Sequence, residues 1–299
     1  MVTRSQGYVG VGDGRVWYES AGEGDRTLLL LHGGPGGNSE DLSPFLELAG
    51  DGFRVVRYDQ LGSWRSDQPD DPALWTVPRF VAEVERVRQT LGLGRMHLLG
   101  QSWGAFLAIE YALHHGAHLR SLTLASGAAS TREWVAGMDA WRRELPEETQ
   151  AVMARCEARK DYAHPDYLAA MDTLYSRNFC RVSPWPEPLK TASQHMAMPV
   201  YTQMWGPNEF TCTGTLIEWD RTDRLGDVAV PTLITVGEFD EVHPSCAQTL
   251  HRGIAGSQLE IFAGCGHAAH LEDHERYKML LVAFLNRIDA TTGVAAFRS

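Results

Sequence analysis

One serine lies in a short segment whose glycine spacing is typical of a catalytic nucleophile. The segment Gly100–Gly104 reads G-Q-S-W-G, so Ser102 has a glycine two positions before it and two positions after it. The apolar, strand-like run Met96–Leu99 precedes the segment, and the helix-like stretch Trp103–His115 follows it. A turn this tight between a strand and a helix needs small flanking residues and exposes the serine above the sheet, beside a helix N-terminus that stabilises an anion. We therefore predict that Ser102 is the nucleophile of an acyl-transfer reaction.

A glycine-rich loop could supply the hydrogen-bond donors that such a reaction needs. His32–Gly37 reads H-G-G-P-G-G and directly follows the apolar strand Thr27–Leu31. Glycines let a backbone approach a ligand closely and direct its N–H groups inward. Because a tetrahedral acyl intermediate carries a negative oxygen that two donors stabilise, we expect the N–H groups of Gly34 and Trp103 to form an oxyanion hole. We expect His32 to fix the loop rather than to act as a base.

A general base and the acid that orients it are expected after two late strands. The strand Pro231–Val236 is followed by Asp240, and the strand Leu259–Phe262 is followed by His267. The chain order Ser, Asp, His is the order of a serine hydrolase with this strand arrangement. His267 would accept the proton of Ser102, and Asp240 would hold the imidazole in the required tautomer. Neighbouring side chains that could compete for these roles are Glu238, Glu241, His270 and His274.

Three of these histidines are close enough in sequence to raise the question of a metal site. His267, His270 and His274 are separated by three and four positions. A cysteine or carboxylate cluster that would complete a metal ligand set does not accompany them. We expect no metal and no cofactor, and we expect His270 and His274 to begin the final helix.

The segments around these residues alternate between strand and helix in the first and last parts of the chain. The predicted strands are Arg15–Ser20, Thr27–Leu31, Phe53–Tyr58, Met96–Leu99, Leu122–Leu124, Pro231–Val236 and Leu259–Phe262, and the predicted helices are 76–92, 103–115, 244–254 and 274–288. This alternation predicts an α/β fold with a mostly parallel sheet covered by helices on both faces. Residues 128–218 contain helix-like stretches, prolines and aromatics. We predict a catalytic domain of residues 1–127 and 219–299, with 128–218 as a helical cap over the carboxyl ends of the strands.

Composition excludes several classes of protein. The chain has 299 residues, with 38 acidic against 27 basic side chains and a formal net charge of −11. Because nucleic-acid binding needs a basic face, we expect no nucleic-acid partner. The sequence lacks an apolar run of the roughly 18 residues that cross a bilayer, and its start is polar. Five scattered cysteines without C-x-x-C spacing favour a reducing compartment, so we expect a cytoplasmic protein without membrane contact.

Five motifs together resemble a known family over nearly the whole chain. They are H-G-G-P-G-G at 32–37, Y-D-Q-L-G-S at 58–63, G-Q-S-W-G at 100–104, G-P-N-E-F at 206–210 and G-E-F-D-E-V at 237–242. The chain resembles the α/β-hydrolase fold and, within it, the proline iminopeptidase family of serine aminopeptidases. The last two motifs look closest to the branch that includes the tricorn-interacting aminopeptidase.

The resemblance implies roles for the residues already singled out and for two glutamates. It implies that Ser102, Asp240 and His267 form a catalytic triad. It also implies that Glu209 in the cap and Glu241 beside the triad acid bind the free α-amino group of the substrate. Carboxylates in a partly dry pocket bind an ammonium by charge-assisted hydrogen bonds. They also select against cleavage inside a chain, since an internal peptide nitrogen carries no charge.

These observations predict a serine hydrolase that releases an N-terminal residue through an acyl-enzyme. The first residue would be proline or another, often apolar, residue, and the substrate a short peptide or an amino-acid amide. One alternative is an amino-acid amidase, an esterase or a peptide-trimming hydrolase of a biosynthetic pathway. Another, from a different class, is a non-catalytic scaffold that binds a small ligand. The sequence does not predict the oligomeric state.

The chain departs from the family pattern at a few positions. Trp64 replaces a small residue after Y-D-Q-x-G-S, His243 stands where threonine is common, and Cys265-Gly266 precedes His267 where serine is usual. We expect Trp64 and His243 near the pocket, where they would affect the proline preference more than the chemistry. Aromatic residues that could shape a pocket for the first residue, or form the cap core instead, are Trp134, Trp141, Tyr175, Phe179 and Trp205.

Overall fold

An eight-stranded, mostly parallel sheet forms the centre of the protein. The computed structural model describes residues 2–292. The strands are β1 (Arg4–Gly10), β2 (Arg15–Ala21), β3 (Thr27–Leu31), β4 (Arg54–Tyr58), β5 (Met96–Gln101), β6 (Leu119–Ala125), β7 (Thr232–Gly237) and β8 (Gln258–Phe262). Their order is β1-β2-β4-β3-β5-β6-β7-β8. The β1–β2 and β2–β4 pairs are antiparallel, and every later pair is parallel. The predicted fold class is confirmed.

Within the described residues, ten α-helices accompany the sheet. They are α1 (Val77–Thr90), α2 (Trp103–His115), α3 (Thr131–Arg142), α4 (Glu147–Ala158), α5 (Pro165–Leu174), α6 (Glu187–Gln194), α7 (Met198–Met204), α8 (Pro244–Gly253), α9 (Ala269–Glu272) and α10 (His274–Thr292). The four helices predicted from sequence periodicity are all present as α1, α2, α8 and α10. No helix within residues 2–292 combines the length and the apolar character needed to cross a membrane.

The central strands are apolar on both faces, and this pattern produces two cores. All five residues of β3 are buried. Leu29 and Leu31 belong to one apolar cluster, which includes residues of α1, α2 and α8. Leu28 and Leu30 belong to the cluster on the opposite face, with Phe45 and residues of α10. Because successive side chains of a strand point to opposite faces, a continuous apolar run places helices on both sides of the sheet.

The first strand was not predicted from the sequence. In β1 only Val9 is fully buried, and the residues around it are mostly exposed. This strand pairs with β2 alone, at the edge of the sheet. An exposed edge strand does not need the apolar alternation by which strands are recognised, so Arg4–Gly10 carries little sequence signal.

The segment 128–218 is helical in its regular structure, as predicted. It contains the five helices α3 to α7 and a single turn of π-helix at Tyr175–Phe179. Trp134, Tyr201 and Trp205 from this segment join the apolar cluster that also contains Leu29 and Leu31 of β3. The segment therefore packs against one side of the sheet domain. The division into a catalytic domain and an inserted cap stays a prediction.

Candidate active site

The backbone around Ser102 forms a strained, sharp turn between β5 and α2. Ser102 has φ 58° and ψ −123°, values that are rare for a residue with a side chain. A Cβ atom on Gly100 would lie 2.0 Å from the carbonyl oxygen of Gly104, and one on Gly104 would lie 2.2 Å from the carbonyl oxygen of Leu31. The two glycines of G-x-S-x-G are therefore required by close backbone packing. The Ser102 N–H donates to the carbonyl of Ala125 at 2.9 Å, which fixes the turn to β6.

The loop after β3 lies directly beside the nucleophile. A Cβ atom on Gly33 would lie 3.1 Å from Cβ of Ser102, so the backbone passes the serine at van der Waals distance. Gly34 has φ 119°, and a Cβ atom there would lie 2.4 Å from the amide nitrogen of Gly37. Only glycine fits this conformation at such a contact. Because of this close approach, the backbone of Gly33 and Gly34 lies beside the position that a carbonyl bound to Ser102 would occupy.

Gln60 links the three segments that carry the first three family motifs. The backbone N–H of Gln60 donates to His32 Nε2 at 3.0 Å, and the side-chain amide donates to the His32 carbonyl at 3.3 Å. The indole N–H of Trp103 donates to Gln60 Oε1 at 2.9 Å. The sequence motif Y-D-Q-L-G-S thus aligns the glycine-rich loop with the first turn of α2, a role that sequence reasoning did not assign to Gln60.

His32 is a structural residue of this loop, as expected. Because its Nε2 accepts from Gln60, the ring proton is on Nδ1, which donates to the carbonyl of Gly33 at 2.7 Å. Burial lowers the pKa of His32 and outweighs the opposing charge of Asp59. Both ring nitrogens are occupied in holding the loop, so the ring is not free to act on a substrate.

The predicted oxyanion hole stays a prediction, and its two residues lie at one narrow slot. Gly34 and Trp103 line this slot, together with the apolar side chains Phe106, Trp134, Trp205 and Leu216. Trp103 is the first residue of α2, and the first amides of a helix have no partner within the helix. Its N–H is consequently available beside Ser102.

The predicted acid and base are in contact. His267 Nδ1 donates to Asp240 Oδ1 at 2.7 Å, and both side chains are almost completely buried. The same oxygen accepts the N–H of Val242 at 2.9 Å, and Asp240 Oδ2 accepts the N–H of Gly237 at 3.3 Å. These bonds hold the carboxylate while it orients the imidazole. Ser102 and His267 line the same pocket, so the structure brings the three predicted residues together.

Asn178 ties the two loops that carry the acid and the base. It lies in the π-helical turn Tyr175–Phe179, and its carbonyl accepts the N–H groups of Glu241 at 3.1 Å and His267 at 2.9 Å. Its side-chain amide donates to the carbonyl of Phe239 at 2.8 Å. Single π-turns are frequent at functional sites because they redirect a helix locally. Sequence reasoning missed Asn178, since a backbone carbonyl leaves no residue-type signal.

Two glutamates act on His267: Glu241 lies against its ring, and Glu209 lines the same pocket. Glu241 is fully buried, and His267 Nε2 is 3.5 Å from its Oε1. Neither carboxylate oxygen of Glu241 has a hydrogen-bond partner within the described part of the protein. Burial raises the pKa of Glu241 well above its usual value. The positive charge of a protonated His267 opposes this shift, and the charges of Glu209 and Asp240 add to it. Burial likewise raises the pKa of Glu209, which lines the pocket.

The charge of these carboxylates acts on the base. Burial alone would lower the pKa of His267, but the negative charges of Glu241, Asp240 and Glu209 outweigh it and raise the pKa to about 9. The site therefore combines one imidazole with three buried or half-buried carboxyl groups. Such a cluster has excess negative potential for a cation to neutralise.

The cap aromatics are divided between the pocket, the slot and the core. Tyr175 and Phe179 line the pocket, and Trp134 and Trp205 line the slot beside Gly34. Trp141 lies deeper, where its indole N–H donates to the carbonyl of Asp240 at 2.7 Å. Cap residues thus contact both the substrate space and the backbone of the catalytic loops.

Two of the expected pocket residues lie elsewhere. Trp64 stacks on His195 of the cap with ring centroids 3.9 Å apart, and His243 precedes α8, accepts the N–H of Ser245 at 3.2 Å and packs against Trp141. Neither is among the residues that line the pocket or the slot. Each side chain packs on the cap instead, so the structure shows no direct contact with the substrate space through which Trp64 or His243 would affect the proline preference.

Of the departing pair Cys265-Gly266, the glycine has a steric reason, and the cysteine has no structural explanation. A Cβ atom on Gly266 would lie 2.9 Å from the carbonyl oxygen of Asn178. That carbonyl accepts the N–H of His267, so the close approach is part of how the base is held. Cys265 is a buried free thiol in the apolar cluster with α10.

The histidines after His267 do not form a metal cluster with it. His274 begins α10 as expected, and its Nε2 is 2.7 Å from Glu47 Oε1. His270 does not begin that helix: it lies in the separate short helix α9, and its ring lines the pocket. One group of possible metal ligands within residues 2–292 is Glu85, His115 and His118. Glu85 there is already bonded to Arg88 and Tyr111.

Asp41 is a pocket residue that sequence reasoning missed. It is buried and lines the pocket together with His270. The motif H-G-G-P-G-G ends four residues before it, but nothing in its own sequence context indicates burial. Its position follows from the tertiary contact between the loop after β3 and α9.

Comparison with known proteins agrees with the fold and shows the family. A model of the α/β-hydrolase fold matches residues 26–274. The proline iminopeptidase of Saccharolobus solfataricus is 39% identical over 88% of this chain and 86% of its own length, and that of Thermoplasma volcanium is 37% identical over 94% and 96%. The crystal structure of the Mycobacterium smegmatis proline iminopeptidase superposes with a TM-score of 0.90 at 36% identity, covering 96% of this chain and 100% of that one. VinJ superposes with a TM-score of 0.91 at 34% identity over 95% and 99%. The chain therefore belongs to the α/β-hydrolase fold and, within it, to the proline iminopeptidase family.

Proposed function

We propose that the protein is a serine aminopeptidase that releases the first residue, proline or another apolar residue, from short peptides or amino-acid amides. The observation that carries the proposal is the pair of carboxyl groups of Glu209 and Glu241 beside His267. A buried carboxylate without a hydrogen-bond partner costs free energy unless a cation or donor satisfies it. A free α-amino group supplies both a positive charge and N–H donors at the required end of a substrate.

The reaction follows from the placement of the other residues. Ser102 Oγ attacks the carbonyl carbon while His267 Nε2 accepts its proton, and the N–H groups of Gly34 and Trp103 stabilise the oxyanion. His267 then donates that proton to the leaving nitrogen as the C–N bond breaks. Water, activated by the same imidazole, hydrolyses the acyl-enzyme and regenerates Ser102. The reaction uses only groups of this chain and water.

The pocket that Ser102 and His267 line is the space for the first residue of the substrate. Its lining includes Tyr175, Phe179, Met198 and Tyr201, and a short aliphatic chain or a proline ring suits such a space. The names of the relatives agree with proline. The slot beside Gly34 is filled by its own aromatic walls and has no room for a substrate side chain.

The test uses aminoacyl arylamides, amino-acid amides and simple acyl esters, each with a free and a blocked amine. We expect turnover of the free-amine compounds and a loss of at least about 100-fold in kcat/KM when the amine is acetylated, since a buried ion pair is worth several kcal/mol. Glu209→Gln and Glu241→Gln should reduce turnover of free-amine substrates far more than that of simple esters. Equal losses on both substrate classes would contradict amine recognition.

The nucleophile has its own control. Ser102→Ala should abolish both turnover and labelling by a fluorophosphonate. Labelling of the variant at the wild-type level would overturn the assignment of Ser102.

The alternatives make different predictions with the same panel. An esterase would cleave blocked and free substrates alike, whereas an amino-acid amidase would need the free amine and would cleave amino-acid amides but not aminoacyl arylamides. A biosynthetic trimming hydrolase would act on free amines but discriminate by the group that leaves. A non-catalytic scaffold would bind these compounds without turnover. We also propose a cytoplasmic location, which agrees with the five free cysteines.

A further inference from the structure

The substrate pocket extends to two sides of the catalytic centre. Glu209 and Tyr201 line it on the side of the cap, where Tyr201 belongs to the apolar cluster of α1 and α2. Asp41 and His270 line it on the other side, where His270 stacks on Phe45 of the opposite cluster. If the amine end of a substrate lies at Glu209, the part beyond the scissile bond extends towards Asp41 and His270.

The far side of the pocket contains a buried polar pair whose bonding capacity is unused. The side chains of Asp41 and His270 are 12% and 4% exposed, and Asp41 Oδ2 is 4.0 Å from His270 Nε2, which is too long for a hydrogen bond. Asp41 Oδ1 and His270 Nε2 have no hydrogen-bond partner within the described residues. Buried polar atoms in folded proteins are nearly always satisfied. Two unsatisfied polar atoms that face a substrate pocket indicate that a group of the ligand forms hydrogen bonds with them.

The titration behaviour of the pair agrees with its burial. Burial raises the pKa of Asp41 to about 7 and lowers the pKa of His270 to about 3. Asp41 is therefore partly ionised at neutral pH and mostly ionised above it, and the neutral His270 does not offset its charge. The pair can accept a hydrogen bond from a ligand, but it brings no positive charge to this side of the pocket.

The rest of this side is apolar. Trp185, Leu189, Ala192, Met196 and Ala268 line it, with Asn38 and Ser193 as polar neighbours. Asn38 is engaged, since its amide donates to the carbonyl of Ala192 at 2.9 Å. No lysine or arginine lines the pocket among residues 2–292. The positive charges that act on Asp41 are those of His267 and Arg57. His267 is already paired with Asp240 and Glu241, and Arg57 with Glu19 and Glu40. A carboxylate here would therefore be desolvated beside Asp41 without a free counter-charge, which is unfavourable.

Resting on the proposed function, we propose that this side of the pocket is a leaving-group subsite that takes an uncharged, largely apolar group with a hydrogen-bond donor for Asp41, and that it rejects a free α-carboxylate. The substrate class is then an aminoacyl amide of an apolar amine, or a peptide whose terminal carboxylate is blocked or lies beyond the pocket. A free dipeptide is a poor substrate, because its carboxylate falls beside Asp41.

A pair of substrates that differ only in this group tests the proposal. L-prolyl-L-phenylalanine and L-prolyl-L-phenylalanine amide share the first residue, the scissile bond and the leaving side chain. We expect kcat/KM for the amide to exceed that for the free acid by at least about 10-fold, a difference that corresponds to one poorly placed charge. Equal values within about twofold would overturn the proposal.

Two substitutions with matched controls locate the effect. Ser193 is exposed on α6 at the rim of the subsite. Ser193→Lys should supply the missing cation and raise kcat/KM for the free acid several-fold without raising that for the amide, whereas Ser193→Gln should not. Asp41→Asn keeps an acceptor oxygen but removes the charge. It should therefore also lower the ratio of kcat/KM for the amide to kcat/KM for the free acid. Asp166→Asn, at an exposed cap carboxylate, should leave the preference unchanged.

The outcomes separate this proposal from the proposed function. Should acetyl-prolyl-phenylalanine amide be cleaved as well as the free-amine compound, amine recognition fails, and the direction assigned to the leaving group fails with it. Should free-amine compounds be preferred while the acid and the amide are cleaved equally, the aminopeptidase function stands and only the subsite is wrong. If Asp41→Asn does not fold, the comparison of Ser193→Lys with Ser193→Gln decides, and an unchanged acid-to-amide ratio in Ser193→Lys counts against the subsite.

Discussion

At the scale of single residues, His267, the proposed base, lies between carboxylates with different proposed roles. Asp240 contacts Nδ1 of His267 at 2.7 Å, and Glu241 lies 3.5 Å from Nε2, the atom that accepts the proton of Ser102 in the proposed reaction. With the pKa of His267 raised to about 9, most of the imidazole is protonated at neutral pH. If a substrate ammonium binds at Glu209 and Glu241, as we propose, it neutralises those charges and lowers the pKa of His267. The cationic end of a substrate would thus favour the neutral imidazole that accepts the proton of Ser102.

The first prediction concerns the pH dependence of an uncharged substrate. Only neutral imidazole accepts the serine proton. The value of kcat/KM for a simple acyl ester should therefore rise with pH along a limb whose midpoint is near pH 9 and level off above it. Glu241→Gln removes the largest of the charges that raise this pKa, so the limb should move to lower pH by about one unit or more. The measurement is the kcat/KM profile between about pH 6 and pH 10.

The groups that face His267 define the control for this experiment. Asp240, Glu209 and Asp41 also act on the ring electrostatically, and they are unchanged in the Glu241 variant. Glu238→Gln alters an exposed carboxylate of the same loop, so its profile should match the wild type. A limb that stays in place in Glu241→Gln would show that Glu241 does not set the pKa of the base.

At the scale of elements, the nucleophile depends on how closely α2 approaches the β3 strand. Gly104 in the first turn of α2 lies so close to the end of β3 that a Cβ atom would be 2.2 Å from the carbonyl oxygen of Leu31. The same turn begins with Ser102 and its positive φ. The separation between helix and strand therefore determines the position of the serine relative to the glycine-rich loop.

The second prediction tests this packing. Gly104→Ala should reduce the free energy of unfolding by about 3 kcal/mol or more, since a backbone atom cannot give way as a side chain can. Any folded variant should also lose kcat, because α2 can accommodate the methyl group only by moving Ser102. Gly116→Ala, at the other end of α2, has negative φ and open space around its Cβ position. It should change stability by less than about 0.5 kcal/mol in denaturant unfolding. Equal stability of the two variants would contradict the packing argument.

The elements that carry strong local patterns were predictable, and the exceptions have physical causes. The β3 run T-L-L-L-L and the apolar spacing of α1 give direct signals of a buried strand and an amphipathic helix. Strand β1 gives no such signal, because only Val9 of its seven residues is fully buried. His270 was expected at the start of α10, whereas the chain forms the separate helix α9 and begins α10 at His274.

The site was predictable where residue types follow strand ends, and not where distant loops meet. Ser102, Asp240 and His267 each follow a strand of the parallel region, so the topology brings them to one edge of the sheet. Their catalytic roles stay predictions. Asp41 contacts α9 from a loop far away in sequence, and Asn178 acts through its backbone carbonyl. Neither arrangement leaves a pattern in the sequence.

At the scale of the whole molecule, some of the acidic residues behind the net charge of −11 are found together at one place. Asp41, Glu209, Asp240 and Glu241 lie in or against one pocket. This concentration of carboxyl groups suits a substrate with a cationic amine at one end and no anion at the other. The acidic composition therefore agrees with the proposed selectivity as well as with the absence of a basic face for polyanions.

A buried ion pair connects the C-terminal helix to the sheet. Arg26, just before β3, donates from Nε to Asp289 Oδ2 of α10 at 2.8 Å, and both side chains are less than a tenth exposed. His97 of β5 lies on the other carboxylate oxygen, with its Nε2 at 3.1 Å from Oδ1. These contacts join residues from the beginning, middle and end of the chain, far from Ser102.

The third prediction is that this connection stabilises the fold without affecting catalysis. Burial would raise the pKa of Asp289, but hydrogen bonds from His97 and Arg26 outweigh it and lower the pKa. A carboxyl group whose pKa is lowered on folding stabilises the protein above its unfolded pKa, and that contribution is lost as the pH falls. Asp289→Asn should therefore reduce the free energy of unfolding by about 3 kcal/mol at pH 7, because it leaves Arg26 buried without its counter-charge.

Denaturant unfolding of Asp289→Asn at neutral and acidic pH, with kcat measured on the folded enzyme, distinguishes this role from a general loss of packing. The difference in the free energy of unfolding between this variant and the wild type should become smaller below about pH 4, because the native carboxylate then begins to lose its stabilising effect. The value of kcat should be unchanged, because the ion pair does not contact the pocket. Asp227→Asn removes a carboxylate from an exposed pair with Arg224 and should cost less than about 1 kcal/mol at either pH. If Asp289→Asn lowers the free energy of unfolding equally at both pH values, the loss comes from altered packing of α10 and not from the missing charge. The ionic link between the first strands and the last helix would then have no part in holding the sheet.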